Sequence, residues 1–163
     1  MGFEVEMKIK IQTIIVEIGL VISILLTTIF GLMFYLFSFE LSGANSTAAH
    51  MRVPVLLMGL GFLACLLAAL IIAFLLMERI RKNNAFEARS VRLLRAIGTC
   101  ALAAILPLVA LFFYTRANVA GSITNIYIFL GIFVMVIAST FFFLIAALFQ
   151  KAVDYKQKVE LTV

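Results

Sequence analysis

The sequence predicts an all-α membrane protein: a four-transmembrane-helix bundle with both termini in the cytoplasm. Three observations predict it. Apolar residues make up 65% of the 163 residues, against roughly 45–50% in soluble globular chains. Four uncharged apolar runs come close to or exceed the about 20 residues that a helix needs to cross a bilayer core. Charged residues are only 13% of the chain, yet its net charge is +5, and the basic excess is gathered into a few segments.

The apolar runs are residues 18–37, 53–77, 96–114 and 123–149, with 20, 25, 19 and 27 residues. Lipid offers no hydrogen bonds to the backbone, so each run is expected to be helical. Helices are expected over about 12–37, 53–79, 85–114 and 122–152, within one domain covering residues 1–163, with a cytoplasmic loop at 78–95. The first run is too long for the apolar core of a cleaved signal peptide and lacks a small-residue cleavage site after it. It is read as a retained span.

Lysine and arginine set the orientation. The loop between the second and third spans carries Arg79, Arg81, Lys82, Arg89, Arg92 and Arg95. The N-terminal segment adds Lys8 and Lys10, and the C-terminal segment adds Lys151, Lys156 and Lys158. Only Arg52 and Arg116 fall on the other side. Eleven against two places the termini and the middle loop inside. Tyr35, Tyr114 and Tyr127 fall near the opposite face, where amphipathic rings prefer the membrane interface.

Small residues recur at intervals of four: Gly19, Ser23, Thr27 and Gly31 in span one, then Gly61, Cys65, Ala69 and Ala73 in span two. These stripes are expected to face protein, where small side chains allow close approach. Cys65 and Cys100 are expected to differ in depth by about 10 Å, too far for a disulfide. Pro107 lies within span three and is expected to kink or loosen it, because proline supplies no backbone N–H. Both chain ends show period-two alternation, which suits strand pairing, beside the reading of a helix that begins near Met7. No metal or catalytic constellation is apparent, no cofactor is expected, and the single histidine, His50, argues against haem held between helices.

Two features carry functional weight. Glu17 is the one acid embedded in apolar sequence, an intramembrane carboxylate that serves either as a transport site or as the partner of a basic loop residue. The middle loop contains Asn84-Ala85-Phe86-Glu87, which reads as a capping box with Asn84 as N-cap. Arg89, Arg92 and Arg95 then recur every three residues. This basic segment suits anionic headgroups or an acidic cytoplasmic partner. Its place against the membrane, with no binding module, argues against direct nucleic-acid contact.

Asn83 to Glu87, the run Ser90-Val91-Arg92-Leu93-Leu94-Arg95-Ala96-Ile97-Gly98 and the terminal Glu160-Leu161-Thr162-Val163 resemble a bacterial family of uncharacterised YoaS-like four-helix membrane proteins. The resemblance covers the whole chain. It implies a non-enzymatic protein of the bacterial plasma membrane, serving as regulatory or sensor partner of a cytoplasmic helix-turn-helix transcription factor. The residues it implies for docking are Phe86, Glu87, Arg89, Arg92, Leu161, Thr162 and Val163. Self-association into a homo-oligomer is compatible with the same architecture.

Two other readings remain. A small cation or drug transporter would use Glu17, although such exporters are shorter and rich in tryptophan, of which this chain has none. The run Glu78-Arg79-Ile80-Arg81-Lys82, with Asn84 and Glu87 following, resembles the Arg-Asn-Glu pattern of membrane-associated glutathione-type enzymes, but the arginine-to-asparagine spacing is off by one and the stretch falls at a helix break.

Overall fold

The computed structural model describes residues 2–44, 49–82, 87–119 and 123–160. Its elements are α1 (Gly2–Ala44), a 3₁₀ turn (Ala49–Met51), α2 (Arg52–Arg81), α3 (Ala88–Ala103), α4 (Ile105–Asn118) and α5 (Thr124–Glu160). Four stretches are long and apolar enough to cross a membrane: Ile11–Phe39, Arg52–Arg81, Ala88–Asn118 and Thr124–Tyr155. The third combines α3 and α4.

Proline explains that division. Pro107 has no N–H for the carbonyl of Ala103, and its ring crowds that carbonyl. The helix gives way at Ala104, which lies between α3 and α4 and is fully buried. The interruption expected in span three therefore falls one turn before the proline that causes it.

Cross-helix contacts show an antiparallel bundle. Arg52 Nε donates to Ser38 Oγ at 3.1 Å at one end of the α1–α2 pair, and Arg81 reaches Glu17 at the other. Between α3 and α5, the Ser139 hydroxyl donates to the Gly98 carbonyl at 3.0 Å. Gly131 of α5 faces Leu108 of α4. The start of α1, the α2–α3 connection and the finish of α5 thus share one end. Tyr35, Tyr114 and Tyr127 share the other.

The core sits at the end with the α2–α3 connection. Leu76 of α2, Val91, Leu94 and Ile97 of α3, and Ala146 and Val153 of α5 form one buried cluster. α3 is the amphipathic helix of the bundle: Ser90, Val91, Leu94, Ile97, Gly98 and Ala101 are buried. Helix α1 stands apart. Among the described residues it packs only on α2 and the short 3₁₀ turn.

The outward surface is apolar, with Leu25, Phe30, Ile126 and Phe133 all more than half exposed. Such a surface suits lipid as its solvent rather than water.

Three expectations are revised. The strand alternative gives way to helix from Gly2 at one end and up to Glu160 at the other, while Leu161, Thr162 and Val163 of the C-terminal alternation lie outside the described residues. Extending an existing helix adds a hydrogen bond per residue without a new nucleus, so alternation alone does not win. The small-residue stripe of span one also fails as a single face. Gly31 approaches Leu63 of α2, with 3.6 Å from an added Cβ, but Gly19 is exposed and would meet nothing within 4 Å. A spacing of four advances the helix by about 40° beyond a full turn, so Gly19 and Gly31 diverge by about 120°. The close α1–α2 contact is instead at Gly59, where an added Cβ would lie 2.6 Å from the Phe34 ring.

The third revision concerns depth. Gly61 of α2 faces Pro107 of α4, 3.8 Å from an added Cβ. That register sets Cys65 level with about residue 103, so Cys100 lies about 5 Å away in depth rather than 10. Both cysteines are free thiols.

Candidate functional site

The charged end of the bundle is built where α2 stops and α3 starts. Helix α2 finishes in Glu78-Arg79-Ile80-Arg81, and Lys82 closes its last turn by donating its N–H toward the Glu78 and Arg79 carbonyls at 3.2 and 3.1 Å. Cations belong at this helix end, where the carbonyl dipoles leave partial negative charge. The Lys82 ammonium also bonds Glu78 Oε1 at 2.7 Å, one turn back.

Helix α3 begins at Ala88, with Glu87 as N-cap in an extended conformation (φ −116°, ψ 153°). Glu87 thus stands at the N-cap of the described helix, the place the sequence reading gave to Asn84. Glu87 is not the third residue of the helix, and its side chain makes no cap hydrogen bond. It turns to α2 instead, with Oε2 3.5 Å from Arg79 Nη1. The N–H groups of Ser90 and Val91 bond the Glu87 carbonyl at 3.0 and 3.4 Å. Asn84 and Phe86 lie outside the described residues.

Glu17 has a partner on the same end. Arg81 Nη1 donates to Glu17 Oε2 at 3.2 Å, and only 13% of the glutamate side chain is exposed. The other carboxylate oxygen is buried with no hydrogen-bond partner among the described residues. Thr13, one turn earlier on α1, is also buried. Glu17 is thus held in an ion pair with Arg81 at the end of α2.

Arg89 and Arg92 occupy the exposed side of α3, opposite the buried Ser90, Val91 and Leu94. Arg95 continues the row. None of the three makes an ion pair among the described residues. The structure thus brings Glu87, Arg89 and Arg92 to one surface, while Leu161, Thr162 and Val163 lie outside the described residues.

The sequence alone does not set Arg79 and Lys82 in a common cleft. The structure sets both, with Glu78 and Arg89, around a cleft between α2 and α3, with Leu75 and Leu93 completing its wall. The signal was present in the intervals 75, 78, 79 and 82, which put four residues on one face of α2.

Fold and site together define an α-helical bundle with four stretches long and apolar enough to cross a membrane among the described residues, and with one basic end. A model of the family described as protein of unknown function DUF2975 matches residues 36–163, so the chain belongs to that family. No curated protein and no solved structure matches the chain.

Proposed function

We propose that this is a non-enzymatic, multi-pass protein of the bacterial plasma membrane that regulates a cytoplasmic helix-turn-helix transcription factor by docking it at the α2–α3 end. The carrying observation is the row Arg89, Arg92 and Arg95, exposed and free of ion pairs among the described residues, on a helix whose opposite face is locked into the core. A charged row on a rigid element is pre-ordered, so a partner binds it without the cost of fixing a loop. Glu87 at the start of α3 adds an acceptor beside the arginines. The excess of lysine and arginine at this end supports a cytoplasmic setting for it and for both termini.

Co-purification tests the reading. The solubilised protein is expected to recover the helix-turn-helix regulator that the family resemblance implies, and Arg89→Glu with Arg92→Glu is expected to abolish the recovery. Recovery that survives the double reversal would remove α3 as the docking surface.

A second reading, a cation or drug transporter centred on Glu17, draws on the buried Glu17 oxygen that has no hydrogen-bond partner among the described residues. Proton-coupled uptake into vesicles that disappears in Glu17→Gln would favour it over regulation.

A further inference from the structure

We propose that the cleft between the end of α2 and the start of α3 binds the phosphate headgroup of an anionic membrane lipid. The cleft has a volume of about 230 Å³ and is lined by Leu75, Glu78, Arg79, Lys82, Arg89 and Leu93. Its lining is layered. Leu75 precedes Arg79 by one turn on α2, and Leu93 follows Arg89 by one turn on α3. Each leucine therefore lies about 6 Å deeper along its span than the neighbouring arginine. An apolar wall beneath a cationic rim matches a lipid, with its acyl chain against the leucines and its phosphate at the rim.

The electrostatics favour an anion there. Three cations line the cleft against one carboxylate, Glu78. Lys82 is held by Glu78 at 2.7 Å and Arg79 by Glu87 at 3.5 Å, and both pairs are partly exposed. Exposed pairs of this kind are weak, so a phosphate with several acceptor oxygens can take over the same donors. Arg89 has no ion-pair partner among the described residues. Arg89 lies in the first turn of α3, and Glu87 supplies no side-chain cap hydrogen bond. The partial positive charge of that helix end therefore adds to the cationic rim.

A soluble phosphate offers the same headgroup chemistry. The two leucines, and the position of the cleft at the foot of two apolar spans, favour the lipid. The cleft shares Arg89 with the proposed docking row, but it does not rest on the regulatory reading, because lipid occupancy is measured on the protein without a partner.

Native mass spectrometry of the purified full chain tests the proposal. Bound phosphatidylglycerol should exceed bound phosphatidylcholine at equal lipid concentration. Lys82→Gln with Arg89→Gln should lower the phosphatidylglycerol affinity about thirtyfold, each basic group near a membrane surface contributing about fivefold. Arg116→Gln, at the other end of the bundle, should leave it unchanged. A second measurement does not depend on the double variant folding. The chain has no tryptophan, so Leu75→Trp provides a single tryptophan at the cleft wall, excited apart from the tyrosines. Brominated phosphatidylglycerol should quench it more strongly than brominated phosphatidylcholine. Equal quenching by the two lipids, or undiminished adducts in the double variant, would overturn the site. Displacement of phosphatidylglycerol by millimolar inorganic phosphate would overturn its assignment to a lipid.

Discussion

The hydroxyl of Ser139 on α5 donates to the backbone carbonyl of Gly98 on α3 across 3.0 Å, in a buried contact. Gly98 permits this approach, because a Cβ there would sit 3.3 Å from the Phe143 ring. The absence of a side chain and the gain of a hydrogen bond thus coincide at one crossing. Ser139→Ala should cost about 0.6 kcal/mol, the usual size of an interhelical hydrogen bond in a membrane. Gly98→Val should cost more, about 1–3 kcal/mol, by forcing α3 and α5 apart. Unfolding in increasing dodecyl sulfate would rank the two, and equal losses would contradict the close-packing account.

Gly59 and Phe34 hold α1 to α2. An alanine in place of Gly59 would bring its Cβ to 2.6 Å from the aromatic ring, so the ring or the helix must move. Gly59→Ala should destabilise the α1–α2 pair by about 1–3 kcal/mol. Adding Phe34→Leu should recover part of the loss. A double-mutant cycle with no coupling would show that the two residues do not meet.

The Glu17–Arg81 pair should respond unequally to loss of its members. Arg81 is about half exposed, whereas Glu17 keeps 13% exposure. Arg81→Gln leaves a largely buried carboxylate without its cation and should cost about 1–3 kcal/mol. Glu17→Gln leaves an arginine that can turn to water and should cost less. Equal costs in thermal unfolding would argue against the burial of the acid.

Restoring an N–H at position 107 should mend the interrupted span. In Pro107→Ala the new amide can reach the Ala103 carbonyl. Hydrogen exchange over residues 104–107 should slow relative to the flanking turns. A break that persists without the proline would assign it to the tight packing of Ala104.

Impermeant thiol reagents read the orientation. In a chain lacking Cys65 and Cys100, Arg89→Cys should stay unlabelled in intact cells, and Ile123→Cys should react. The reverse pattern would move the basic end outside and with it the proposed regulatory contact.

Much of this architecture was legible in the chain. Run length gave the four apolar helices, because bilayer thickness fixes a minimum span. Pro107 gave the interruption, because the missing N–H is a local fact. The partner of Glu17 was foreseeable as a class, since few cations other than those of the middle loop lie at that depth. What escaped depended on helix phase and on distant neighbours. The drift of the Gly19–Gly31 stripe follows from a helical period that is not four, and only the position of α2 shows which glycine counts. Glu87 has the chemistry of a capping residue, but Arg79 on the preceding helix draws its carboxylate away. The cleft required two helices to be set side by side, although half of its lining was already written in the spacing of α2.

The solitary placement of α1 bears on how the chain assembles. During synthesis α1 emerges ahead of α2 and has only that helix to meet, so their hairpin can close before the later helices exist. The buried cluster of α2, α3 and α5 cannot close until α5 is delivered. Maturation therefore divides into an early, local event and a late, chain-spanning one. A translation product halted before α5 would present an open seam along α2 and α3, a ready mark for membrane quality control.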